Sequence, residues 1–168
     1  MFGIIIIIIS LILDGFLTNI LPFMVGDLSF FTPLFTLTVI SILYPYYRKK
    51  EKYFFIMVFI TGIIYDLLYT NLLFFNGLLF IGISYISKLI NKNYEMNYLR
   101  LIIYIILMIT IYETVTALIL VIFNLFPITI SKVFYKITHS LIINIIYGEL
   151  IYLILNKLPK KYMKISIN

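Results

Sequence analysis

The sequence predicts an all-α integral membrane protein, a single membrane-embedded domain over residues 1–168 that forms a bundle of six transmembrane helices with both termini in the cytoplasm. Apolar residues make up 63% of the chain and charged residues only 12%, which leaves too little polar surface to coat a soluble globule. The few acidic residues inside the apolar stretches and the clustering of Lys and Arg in short segments between them complete this pattern.

Six stretches are long and apolar enough to be spans, because a bilayer core of roughly 30 Å needs about 20 helical residues. They cover about residues 2–22, 30–47, 53–71, 72–90, 101–126 and 133–156. The first has no basic n-region and no small-residue cleavage site, so we expect it to remain as a span. The third and fourth are nearly continuous, and only residues 70–71 and 76–77 offer positions for a turn. If these two formed one helix, the bundle would have five spans.

The distribution of Lys and Arg predicts the orientation. Eleven of the thirteen lie at residues 48–52, 88–100 and 157–164, whereas Lys132 and Lys136 lie on the opposite side. Both termini are therefore expected in the cytoplasm, which agrees with an even number of spans. Basic residues beside apolar spans indicate contact with lipid headgroups rather than with nucleic acid.

Four acidic residues, Asp14, Asp66, Glu113 and Glu149, lie inside predicted spans. A carboxylate at bilayer depth costs at least a few kcal/mol unless it is paired or neutralised, so each should face the bundle interior, a wet cavity or a partner helix. No Lys or Arg is expected deep enough to neutralise them, which favours protonated carboxyls with hydrogen-bonding partners. We interpret them as interhelical polar contacts, with a proton or cation pathway as the alternative. The expected partners are Thr110, Tyr112, Thr114, Thr116 and Asn144.

Residues 14–23 and 66–75 form a weak internal repeat in which five of ten positions match. The matching polar residues are Asp14, Thr18 and Asn19 in the first copy and Asp66, Thr70 and Asn71 in the second. Because residues four apart share a helix face, each copy presents a carboxyl beside a hydroxyl. We therefore predict that spans one and three are structurally equivalent, with their Asp residues at one depth and in related surroundings.

Other sequence features indicate no enzyme and no cofactor. The chain has no cysteine, which excludes a thiolate metal site and a cysteine nucleophile, and motifs of phosphate loops, zinc hydrolases and nucleophile elbows are absent. The single histidine, His139, is expected to be a polar interfacial residue, since one imidazole cannot form a His-rich metal site. Glycines at 62, 77 and 82 are expected to allow close packing or turning.

Several short motifs follow one another between Phe31 and Ile90. Thr32-Pro33 opens an apolar span, a basic loop follows, and then come Phe59-Ile-Thr-Gly62-Ile-Ile-Tyr-Asp66 and Asn76-Gly77-Leu-Leu-Phe. This order resembles the rod shape-determining protein MreD family, whose motif positions correspond here to Pro33, Gly62, Asp66 and Gly77. The sequence departs from the family pattern in three places: Leu34 replaces a polar residue, Asn76 precedes Gly77, and no Gly follows shortly after Asp66.

The resemblance implies a non-enzymatic scaffold component of the bacterial cell-elongation machinery, located as a multi-pass protein in the cytoplasmic membrane. It implies as partners an MreC-like protein, an MreB-like actin homologue, and the peptidoglycan polymerase and transpeptidase of the lateral wall, besides membrane lipids. Because the loops are too short to be binding domains, we expect partners to be engaged by helix packing. The candidate polar and partner contacts are Asp14, Asp66, Thr70, Asn71, Glu113, Asn144 and Glu149.

The alternative function is a small-solute transport component, because the chain is also similar in size and span number to the substrate-binding membrane subunit of an energy-coupling-factor vitamin transporter. Such a subunit would have a central cavity lined by polar groups and would gain stability on binding its ligand. A third function, a proton-coupled carrier that uses the four acids, would need paired broken helices that the sequence does not indicate.

Overall fold

A computed structural model of the chain describes residues 2–20, 33–70, 72–91, 97–124 and 129–157, and the regular structure in these ranges is entirely helical. The elements are α1 (Phe2–Ile20), α2 (Phe35–Leu43), a 3-10 helix (Tyr44–Lys50), α3 (Glu51–Tyr69), α4 (Phe75–Asn91), α5 (Tyr98–Ile122) and α6 (Ile130–Lys157). The predicted all-α class is confirmed.

Within the described ranges, three helical segments are long and apolar enough to cross a membrane. They are Phe35–Tyr69, Tyr98–Ile122 and Ile130–Lys157, and shorter apolar helices cover Phe2–Thr18 and Phe75–Ile90. The number of six spans and the cytoplasmic position of both termini stay predictions.

The region of the predicted second span differs most from expectation. Its α-helix is only nine residues long, about 13 Å, and the chain continues into a 3-10 helix that has a Pro in its first turn. Pro is tolerated at the start of a helix because its missing N–H would have no partner there. The basic residues 48–50 thus lie in a helical connection between α2 and α3, where a loop was expected.

The division between the third and fourth stretches is confirmed. Helix α3 ends at Tyr69 and α4 begins at Phe75. Phe74, just before α4, has a φ of 67°, in the left-handed region that a bulky residue adopts only in a tight turn. The two helices therefore form a short hairpin, and they make the most extensive contact between any two described helices.

Helix α2 lies at the centre of the molecule. All nine of its residues are buried, and it contacts α1, α4, α5 and α6. The surrounding helices expose large aliphatic side chains on their outer faces, for example Ile8 and Ile12 on α1, and Ile60 and Leu67 on α3. Apolar outer faces of this extent suit a hydrocarbon solvent, in which every backbone N–H of the central helix must find a partner inside the protein.

Candidate functional site: two buried helix starts

The carboxylate of Asp14 caps the start of α2. Asp14 lies on α1 with 2% of its surface exposed. Its Oδ1 accepts a hydrogen bond from the Phe35 N–H at 2.7 Å, and its Oδ2 accepts one from the Thr36 N–H at 2.9 Å. The local N-cap residue, Leu34, supplies no capping side chain. Because the first N–H groups of a helix have no intrahelical acceptor, the neighbouring helix supplies one.

Asn144 on α6 completes this cap. Its Oδ1 accepts a hydrogen bond from the Leu34 N–H at 2.9 Å, and its Nδ2 donates to the Ser140 carbonyl at 2.7 Å. Pro33, just before, is buried and has no N–H that would need an acceptor. The start of α2 thereby joins α1 to α6.

Asp66 performs the same task for α4. It is fully buried, and its carboxylate accepts hydrogen bonds from the Asn76 N–H at 2.9 Å, the Asn76 Nδ2 at 2.8 Å and the Thr70 hydroxyl at 2.8 Å. The Gly77 N–H lies 3.4 Å from Oδ2. Asn76 is held in turn by the Tyr112 hydroxyl of α5, which donates to its Oδ1 at 2.8 Å. The Asn that departs from the family pattern is therefore an integral part of this cap.

Gly62 lets α4 approach α3 at the Asp66 cap. A Cβ on Gly62 would lie 2.5 Å from the Gly77 Cα and 2.7 Å from the Asn76 carbonyl oxygen, so backbone would have to move. A Cβ on Gly77 would meet side chains instead, the Phe59 ring at 3.3 Å and the Ile63 Cγ1 at 3.5 Å. Small residues that allow such close approach are characteristic of helix contacts in membranes. The motif positions Pro33, Gly62, Asp66 and Gly77 thus all lie at one or other of the two helix starts.

The Asp residues of the two repeat copies both cap a helix start, which agrees with the predicted equivalence of spans one and three. Both Asp residues are buried, and each caps the α-helix that follows its own among the described helices. The Thr18 hydroxyl donates to the Asp14 carbonyl at 2.7 Å, and the Thr70 hydroxyl donates to the Asp66 carboxylate. The two hydroxyls thus have different acceptors, and the shared capping role of the Asp residues is what supports structural equivalence of α1 and α3.

The depths of the two caps also agree. From Leu34 to Arg48 the helical rise is roughly 20–25 Å. From Glu51 to Asp66, on the other side of the connection, the rise is about the same. The Tyr69 hydroxyl donates to the Leu11 carbonyl at 2.6 Å, which connects the end of α3 to the turn of α1 just before Asp14. Both caps therefore lie far from the basic residues 48–50 and toward the same end of the bundle.

Glu113 pairs with a lysine instead of capping a helix, so one expectation about the buried acids is wrong. It lies on α5 with 2% of its surface exposed, and its Oε2 is 3.2 Å from the Nζ of Lys136 on α6. The expectation that no base would reach a buried acid is wrong for Glu113, because a Lys near the start of α6 extends its flexible side chain across to α5. Among the described residues, the buried Glu113 Oε1 has no hydrogen-bond partner.

The buried acids have different direct partners. Asp66 is linked to Tyr112 through Asn76, Asp14 binds the start of α2, and Glu113 pairs with Lys136. Glu149 is half-buried on α6, five residues after Asn144 and so roughly 140° further around the helix. The structure thus buries three of the four predicted acids, each with its own partners, and places Glu149 on a different face from Asn144.

Several predicted positions have other surroundings. The Thr110 hydroxyl donates to the Ile106 carbonyl of its own helix, so its predicted role as a partner for the acids is wrong. Gly82 is exposed, and a Cβ there would meet no atom within 4 Å, so close packing at Gly82 is also wrong. His139 is half-buried and stacks on Tyr135 with ring centroids 3.8 Å apart. Asn71 lies outside the described residues, and its role stays a prediction.

Sequence reasoning did not identify the acids as helix caps. The available signal was indirect: α2 begins in an apolar stretch, and the residue at its N-cap, Leu34, cannot accept a hydrogen bond through its side chain. A helix that starts inside the hydrocarbon region without a local cap needs a remote one. The buried acids were the candidates for that role.

These features define a helical membrane protein whose buried polar groups stabilise internal helix starts. A comparison with protein families identifies the family: the model described as rod shape-determining protein MreD matches residues 1–162. The chain therefore belongs to the MreD family. No curated protein and no solved structure matches it. Members of this family determine rod shape as membrane components associated with the MreC and MreB machinery. The family is not a known enzyme family.

Proposed function

We propose that this chain is a non-enzymatic scaffold of the bacterial cell-elongation machinery, a multi-pass protein of the cytoplasmic membrane that binds its partners by intramembrane helix packing. The partners would be an MreC-like protein, an MreB-like actin homologue, and the polymerase and transpeptidase of lateral-wall synthesis. Family membership gives the process. The proposed mechanism rests on the hydrogen bonds from helix-start N–H groups to the buried carboxylates.

The observation that carries the proposal is that both capping carboxylates already bind backbone N–H groups inside the protein. Carboxylates used in this way support a fixed arrangement of helices. The outer faces around them are apolar, with Ile12 58% exposed on α1 and Leu67 66% exposed on α3. A partner helix would meet these apolar faces, whose position depends on the caps.

The test compares Asp66→Asn with Asp66→Leu in co-purification with the MreC-like partner. Asn keeps one acceptor oxygen, whereas Leu leaves several buried donors without an acceptor. We therefore expect Asp66→Leu to lose both partner recovery and thermal stability, and Asp66→Asn to lose less of each. Equal loss of partner recovery in both variants, with Asp66→Asn still folded, would contradict the scaffold mechanism and indicate a charged role.

The transport alternative predicts a different result. A substrate-binding subunit would gain stability from a small solute, by RT ln(1 + [L]/Kd), in the absence of any wall-synthesis partner. Thermal unfolding of the purified chain with a panel of vitamins would show this gain. A saturable increase in the unfolding temperature would favour transport over the scaffold function.

A further inference from the structure

An apolar groove lies between the end of α5 and the start of α6, away from the two helix caps. Its volume is about 450 Å³. It is lined by Thr114, Ala117, Leu118 and Val121 on α5 and by Ile130, Val133, Phe134 and Ile137 on α6. These positions follow helical spacing on both helices, so two apolar stripes face each other without closing the space between them. In hydrocarbon, such a space will be filled by an apolar group.

The groove is open at the outer surface of the bundle. Ile130 and Phe134 in its lining are 90% and 69% exposed. From Thr114 to Val121, and from Ile130 to Ile137, each helix rises about 10 Å. An acyl chain of the surrounding bilayer can therefore lie along the groove over that length.

The flank of the groove carries a small excess of positive charge. Lys132 and Lys136 lie one turn apart on the same side of α6, next to the stripe that includes Val133 and Ile137. Glu113 pairs with Lys136 on this flank, whereas Lys132 is exposed near the start of the helix. Among the described residues of this flank, two positive charges stand against one negative charge, which favours an anionic headgroup near the end of the α5–α6 pair.

We propose that the α5–α6 groove binds one acyl chain of an anionic phospholipid whose headgroup lies beside Lys132. This lipid site is independent of the proposed scaffold function, because it uses none of the capping residues. It would fill the gap between α5 and α6 and fix their separation. A salt-dependent preference for anionic over zwitterionic lipid should follow from the Lys132 charge.

The chain contains no tryptophan, so a single introduced Trp gives an unambiguous fluorescence reporter. We would place it in the groove with Leu118→Trp and, in a matched control, on the outer face of α6 with Ile142→Trp. These native side chains are 56% and 60% exposed. Each delipidated variant in detergent would be titrated with bromine-labelled phosphatidylglycerol, which quenches Trp fluorescence on contact.

A specific site predicts saturable quenching of the groove reporter at a lipid concentration at least fivefold lower than the control reporter requires. Adding Ala117→Phe, which fills the groove, should remove the saturable phase, and Val121→Phe on the same lining provides a second filling variant if the first unfolds. Lys132→Gln should lower the preference for phosphatidylglycerol over phosphatidylcholine by about fivefold. Identical quenching curves for the two reporters would overturn the site, as would saturable quenching that persists in a folded groove-filled variant. Equal wild-type affinity for the two lipids would overturn the anionic headgroup.

Discussion

The helix starts of α2 and α4 are capped by the same residue type, yet the two caps connect the chain over different distances. At α4, Asp66 binds groups only four to eleven residues away, within one helical hairpin. At α2, Asp14 binds N–H groups 21 and 22 residues away, and Asn144 reaches across 110 residues. The α4 cap therefore closes a local hairpin, whereas the α2 cap joins three helices into a bundle.

The difference also appears in the number of donors. The Asp66 carboxylate accepts from two backbone N–H groups, one side-chain amide and one hydroxyl, and Gly62 holds the two helices close around it. The Asp14 carboxylate accepts from two backbone N–H groups. Loss of Asp66 should therefore cost more stability, and loss of Asp14 should disturb more of the fold.

The largest effect is expected from Asp66→Leu. Removing this carboxylate leaves the Asn76 and Gly77 N–H groups and the Asn76 amide without their acceptor, and each unsatisfied buried donor costs about 1–3 kcal/mol. We expect the free energy of unfolding to fall by about 4 kcal/mol, measured by titrating a mild-detergent solution with a denaturing detergent. A loss below about 1 kcal/mol would mean that water or another group replaces the carboxylate.

Asp14→Leu should cost about 3 kcal/mol, because two backbone N–H groups of α2 lose their acceptor. The variant should be recognised by where its amide hydrogen exchange changes. Exchange should increase at the start of α2 and in the facing parts of α1 and α6, with the α3–α4 hairpin still protected. Asp66→Leu should give the reverse pattern, with faster exchange first at the start of α4. The same exchange pattern in both variants would remove the distinction between a local and a long-range cap.

Gly62→Ala should cost about 2 kcal/mol, because the added methyl group would meet the α4 backbone rather than a movable side chain. Gly82→Ala on α4 is the matched control, since a Cβ there meets no atom within 4 Å. Replacing Gly by Ala in an open helix position usually stabilises by about 0.5–1 kcal/mol, so the control should unfold at the same or a slightly higher temperature. If both variants were equally stable, the close approach of α3 and α4 would not be required.

The smallest effect is expected from Tyr112→Phe, which removes only the hydrogen bond from the Tyr112 hydroxyl to Asn76. Interhelical hydrogen bonds in membranes are worth about 1 kcal/mol or less. Tyr85→Phe, at a position 53% exposed on α4, is the control and should leave the unfolding temperature unchanged. A loss of several kcal/mol from Tyr112→Phe would show that the tyrosine hydroxyl supports more of the packing than the Asn76 side chain alone.

Much of the fold follows from the sequence because the solvent constrains it so strongly. Apolar length located the helices, and the polar residues at 70 and 76 located the α3–α4 turn within a nearly continuous apolar stretch. The cost of a carboxylate in hydrocarbon predicted that acids in the spans would be shielded, and Asp14, Asp66 and Glu113 are at most 2% exposed. The predicted bounds differ most at residues 30–47, where the structure describes an α-helix of nine residues followed by a 3-10 helix.

The sequence by itself determined the membrane class, the approximate helices and the need to shield the acids, because these follow from composition and from spacing along one helix. Only the tertiary structure decided which groups shield them: Phe35 and Thr36 for Asp14, and Lys136 for Glu113. Spacing along the chain shows which residues share a helix face, but it does not show which helix lies opposite that face. That choice depends on the packing of all the helices together.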